Sequence, residues 1–117
     1  MTILSESMDR IRDMVEADID SGKAGTGTTL PTAADTGLET GVADTDLALT
    51  NKKVGSDSIT VTHILTTAEG NGSTITEWEV RNASDDSYNR IVKAGFAKTA
   101  LREATMVHTF VFNRRIT

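Results

Sequence analysis

A chain of 117 residues, 38% hydrophobic and only 4% aromatic, has room for one domain with a small core built from Ile, Val, Leu and Met. A net charge of −5 with scattered basic residues argues against DNA or an anionic membrane as the main partner, and no run approaches the roughly 18 apolar residues of a membrane span. The absence of cysteine excludes disulfides, Cys-ligated zinc and thiol nucleophiles together.

The opening residues, MTILSESMDR, have neither the basic region nor the apolar run of an export signal, so secretion by the usual route is not expected. Residues 5–20 predict a helix. Ser5 or Ser7 can cap it, and Leu4, Met8, Ile11 and Val15 form one apolar stripe flanked by Met14 and Ile19. Asp9, Arg10, Arg12, Asp13 and Glu16 cover the other side, and Gly22 is a natural stop. Such a stripe serves either the chain's own sheet or a neighbouring subunit.

Residues 22–45 are rich in Gly, Thr, Ala and Asp and read as an extended loop or linker, with a short strand within it as the alternative. Gly22, Gly27, Thr28 and Thr29 approximate a phosphate loop. However, Thr28 stands where the lysine belongs, an amphipathic stretch precedes the glycines in place of a strand, and Pro31 follows them. Gly25 and Gly27 do not complete a dinucleotide loop either, because Leu30 occupies the third glycine position. Nucleotide binding is therefore not expected.

From residue 46 the pattern becomes β. DLALT (46–50) is a possible strand, and SITVTHILTT (58–67) alternates Ile59, Val61, His63 and Leu65 against threonines. A turn at Asn71-Gly72 leads to TITEWEVRN (74–82), with Thr76, Trp78 and Val80 opposite Glu77, Glu79 and Arg81. RIVKAGFAK (90–98) and TMVHTFVFNRRI (105–116) complete the set. The expected fold is mainly β, an antiparallel sandwich or sheet with a short N-terminal helix. It is a single domain with a helical part (1–21), an extended segment (22–45) and a β part (46–117). Ile59, Val61, Leu65, Val80, Phe96, Phe110 and Phe112 are the expected core.

No catalytic, cofactor-binding or metal-binding residue is expected. His63 and His108 lie on apolar strand faces without a third ligand nearby in sequence, and read as hydrogen-bonded structural histidines. Asp35, Asp44 and Asp46 lack the glycine and final glutamate of a calcium loop. Glu77 and Glu79 imitate a carboxylate pair without a cleft or aromatic platform, and no G-x-S-x-G elbow is present.

The order of segments carries a resemblance. AGTGTTLPTAADTGLETGV (24–42) resembles the GTGTTxPTxxDTxLE segment of small virion proteins of tailed phages and tailed archaeal viruses. EGNGSTITEWEV (69–80) is similar to their EANGTTITEIGL hairpin, YNRIVKAGFAKT (88–99) to their LLARAVFxxxxKT segment, and MVHTFVFNRRIT (106–117) to their closing strand. Trp78 and Glu79 depart from that pattern, standing where the relatives have an aliphatic residue and Gly. The resemblance implies a non-enzymatic virion protein of the tail or baseplate, assembled in the host cytoplasm as a homo-oligomer among other virion proteins. A capsid decoration or turret protein and a receptor- or carbohydrate-binding module are the alternatives. It also implies that Gly25, Gly27, Thr28, Pro31, Asp35 and Leu38 belong to an assembly segment. Gly and Thr side chains bury too little apolar area to offset the ordering of such a segment within one subunit, so the helix at 5–20 and the segment at 24–45 are expected to contact other chains more than the sheet at 58–116 does.

Overall fold

The computed structural model describes residues 5–112. Leu4 of the expected apolar stripe and residues 113–116 of the expected last strand lie outside them. The protein is mainly β, with two antiparallel sheets and one N-terminal helix in a sandwich-like arrangement.

Helix α1 spans Ser5–Asp18, two residues shorter than its periodicity suggests. Met8 is buried and Val15 packs on the core, whereas Ile11 and Met14 (71% exposed) face outward, so the stripe is only half used. The helix is fastened by backbone carbonyls of other elements and by its own. The Arg12 guanidinium donates to Gly55 O and Ser56 O at 3.0 and 2.9 Å. The Lys52 ammonium donates to Glu16 O and Ile19 O, both at 3.0 Å, supplying a cation and donors where a helix leaves carbonyls unpaired.

Ile19 does not continue the helix. It opens strand β1, Ile19–Gly25, which lies in the middle of a sheet. The remaining strands are β2 (Leu47–Ala48), β3 (Asn51–Val54), β4 (Ser58–Leu65), β5 (Thr74–Asn82), β6 (Ile91–Ala97) and β7 (Ala104–Val111). One sheet has the order β2-β1-β5-β6 and the other β3-β4-β7. The core lies between them. Ile19, Ile59, Val61, Trp78 and Val80 form one cluster, and Ala24, Leu65, Ile75 and Ala104 form another.

Two features depart from the expected organisation. Residues 22–25, read as part of a loose extended segment, are ladder-paired to residues 77–80 of β5. Their small side chains carry little β propensity, but large neighbours fill the space above them. A Cβ on Gly22 would stand 2.7 Å from the His63 ring. The expected core is also corrected at its aromatic end. Ile59, Val61, Leu65 and Val80 are fully buried, but Phe110 and Phe112 are half-buried at the rim and Phe96 is 39% exposed. Phe96 pairs with the core residue Ile75 and so lies on the inner face, but it stands on the edge strand β6 beside an open cleft, past an irregularity where a step of four along β6 (Phe96 to Val92) matches a step of two along β5 (Ile75 to Glu77).

His63 is the polar centre of the core. Trp78 Nε1 donates to its Nδ1 at 3.0 Å, which leaves Nε2 to carry the proton and donate to Thr45 O at 3.1 Å. Both nitrogens are satisfied only in the neutral ring, and burial holds its pKa below the ordinary value. The unfolded chain therefore binds a proton that the folded chain refuses. Stability is complete above the ordinary histidine value of 6.5 and falls as pH drops below it. Urea midpoints should thus be lower at about pH 5.5 than at about pH 8. The difference should shrink in His63→Gln, with the half-buried His108, also shifted down by burial, supplying the remainder.

Candidate assembly site

The recognised segment is built on one side chain, Glu77. Its carboxylate lies on the outer face of β5, where strand alternation predicts solvent, yet the residue is only 1% exposed. Oε2 accepts from the amides of Gly27 (2.7 Å) and Thr40 (2.8 Å). Oε1 accepts from the Glu39 amide and from Arg90 Nε, each at 2.8 Å. Burial pushes the Glu77 pKa up, but the Arg90 guanidinium and the three amides outweigh it, and the net shift is downward.

Around this anchor residues 26–40 form a loop with closed ends. Gly25 bridges to Gly41, Thr26 N donates to Thr40 O at 2.9 Å, and Val42 N donates to Ala24 O at 2.9 Å. Thr76 Oγ1 donates to Gly27 O at 2.7 Å. Both glycines are required by proximity. A Cβ on Gly25 would lie 2.4 Å from Thr40 O, and one on Gly27 would lie 2.5 Å from Glu77 Oε2. Asp35 folds the far end back. It accepts from Thr32 N (3.1 Å) and Thr32 Oγ1 (3.2 Å) and pairs with Arg90 Nη1 at 3.2 Å. The Thr32 amide, with Arg90 beside it, holds the Asp35 pKa below the ordinary carboxylate range.

The six expected assembly residues therefore separate into two groups. Gly25 and Gly27 are buried at the base and Leu38 is half-buried, whereas Thr28, Pro31 and Asp35 are exposed near the tip. At its base the segment is fastened to its own sheet. A buried carboxylate accepting three backbone amides gives a Gly/Thr-rich loop the charge-assisted anchoring that its own side chains cannot supply. The resemblance to a phosphate loop also dissolves, because Gly22 to Gly25 are strand and the next regular element is a 3-10 turn at Ala43–Thr45.

Glu79 and Arg81 continue the charged face. Arg81 pairs with Asp46 at 2.8 Å and Asp85 at 2.9 Å, and approaches Glu79 at 3.4 Å. Burial raises the Glu79 pKa, opposite to its neighbour two residues earlier. Asp44 accepts from Gly70 N at 3.1 Å. These acids are thus spent on structure, and among the described residues no three His, Asp or Glu side chains gather as a metal site. Trp78 is buried against His63, which leaves Tyr88 as the exposed member of the two aromatics that a sugar-binding face would have used. Tyr88 OH is hydrogen-bonded to the Asp18 carboxylate, and that bond pushes its pKa up to about 12.

Sequence reasoning missed Glu77 and Arg90. The available signal was the run of charged residues on alternate positions of a long strand, Glu77, Glu79 and Arg81, whereas the strand at 58–65 carries none.

Glu77→Gln replaces an acceptor oxygen with a donor that faces other donors, and should cost about 3 kcal/mol by the scale of a broken buried ion pair. Chemical denaturation should show that loss. Limited proteolysis of the variant should cut within residues 26–40 before the sheet opens. In the parent the Glu77 contribution is present above the ordinary glutamate value of 4.5 and disappears as pH falls below it, the sign of a lowered carboxylate pKa.

Compared with known proteins, the chain matches no family model, no curated protein and no solved structure.

Proposed function

We propose that this chain is a non-enzymatic structural protein of a tailed virus, built into the tail or baseplate through contacts with copies of itself and with other virion proteins. One observation carries the reading beyond the sequence resemblance. The residues that make up the recurrent GTGTTxPTxxDTxLE pattern are those that the fold fastens. Gly27 and Glu39 give their amides to Glu77, Asp35 pairs with Arg90, and Gly25 closes the base. The pattern encodes a fixed loop, and a fixed loop presents its tip at low entropic cost when a partner arrives. The tip is residues 28–36, all exposed, with Leu30 78% exposed at its apex. A polar loop with one apolar side chain held outward suits a contact between subunits.

The chain contains no cysteine, so a single introduced thiol reports this contact directly. Leu30→Cys should react with a maleimide in the free chain and be protected in assembled particles, with labelling scored by mass spectrometry. Equal labelling in both forms would remove the tip from the interface. Failure to find the chain in purified particles would remove the virion reading altogether.

A further inference from the structure

We infer that two copies of this chain pair through strand β7, antiparallel and about a two-fold axis, to make one continuous sheet. Each of the two sheets has two edges, and three of these four edges carry a device that discourages pairing. Strand β2 is two residues long. Strand β3 carries Lys52 and Lys53 in four residues. Strand β6 carries Lys93 and the four-against-two irregularity opposite β5. Strand β7 carries none. Its eight residues, ATMVHTFV, include no Lys, Arg, Asp, Glu, Pro or Gly, and it is regularly paired to β4 along its whole length. Among the described residues no strand covers its other side.

The second copy is the occupant that the charges favour. The rest of the chain gives the molecule a net charge of −5, yet β7 can meet itself without setting like charges opposite one another. Its outward side chains are Thr105, Val107, Thr109 and Val111, all exposed and all β-branched, the type that packs well on neighbouring strands. Val107 is 61% and Val111 64% exposed, apolar surface that a solvated edge does not need. Only self-pairing joins two unguarded edges, which selects a closed two-fold contact over a head-to-tail chain. The same contact covers the mouth of a cleft of about 390 Å³ between β6 and β7, lined by Trp78, Ile91, Phe96, Met106 and His108. Opposed residues in an antiparallel pair share a face, so Val107 lies opposite its own copy or opposite Thr109 of the second copy.

This pairing deepens the assembly reading by naming one partner and one surface, and it is tested on the isolated chain. Sedimentation should give a dimer for the parent. Val107→Lys and Val107→Glu should each weaken dimerisation by roughly tenfold or more while leaving the far-UV circular dichroism unchanged. An equimolar mixture of the two should recover it. As a measurement that does not depend on charge, either Val107→Cys alone (residue 107 opposite its own copy) or a mixture of Val107→Cys and Thr109→Cys (residue 107 opposite residue 109) should form a disulfide-linked dimer on mild oxidation, and Thr60→Cys, one strand further in, should not. A monomeric parent, or charge variants that dimerise as the parent does, would overturn the pairing. Neither result would touch the virion reading, which is decided by whether the chain is found in particles.

Discussion

A single ionised carboxylate, that of Glu77, is the constraint on which the rest of this protein is arranged. Burying a charge is tolerated only where it is paired and its lone pairs are filled, and Glu77 meets both conditions at once. Its four partners come from three separate stretches of chain, at residues 27, 39–40 and 90. The carboxylate is thus a hub at which the two limbs of a loop and the entry to β6 are fixed relative to the centre of a sheet. The opposite face of β5 is apolar and packs on the second sheet through Trp78 and Val80. One strand therefore organises a hydrophobic layer on one side and an ionic layer on the other.

The second constraint follows from the first. At residues 25 and 27 a Cβ would point at the carboxylate itself, 2.6 and 2.5 Å from Glu77 Oε2, and the glycines there are the consequence. The same logic sets Gly22 under the His63 ring. The aromatic-poor composition is compensated in this way. The core gains little from large rings, but its polar members, His63, Trp78 and Thr45, are satisfied by specific partners, which makes the packed arrangement singular.

The strands at 58–65, 74–82 and 104–111 were legible because each repeats with period two and one face of each meets the core. The fold class followed from them. Strand β1 was not legible. Its Gly, Ala and Ser content reads as a linker, and its place in the sheet is decided by side chains more than thirty residues away. The helix end was displaced for a related reason, since Ile19 is claimed by the inter-sheet core before it can close another turn. Phe96 keeps an inner-face position opposite Ile75 but remains exposed because β6 is an edge strand, and strand order is not visible in alternation. At the candidate site the glycines and Asp35 were visible as residues that matter, but their partner Glu77 looked like half of a surface charge pattern. A one-strand view cannot tell a carboxylate that faces water from one that faces three amides.

The loop over Glu77 separates fastening from display. It is held at the base, at Asp35 and by the Glu39 carboxylate, which accepts from Thr28 and Thr29, while Leu30, Pro31, Ala33 and Ala34 lie exposed beyond those anchors. Substitutions there leave the hub's partners in place. The apex can therefore be rewritten in size, charge or reactivity with the residues around Glu77 held constant beneath it, which makes Leu30, Ala33 and Ala34 positions where a label or a new chemical group can be carried without altering the fold.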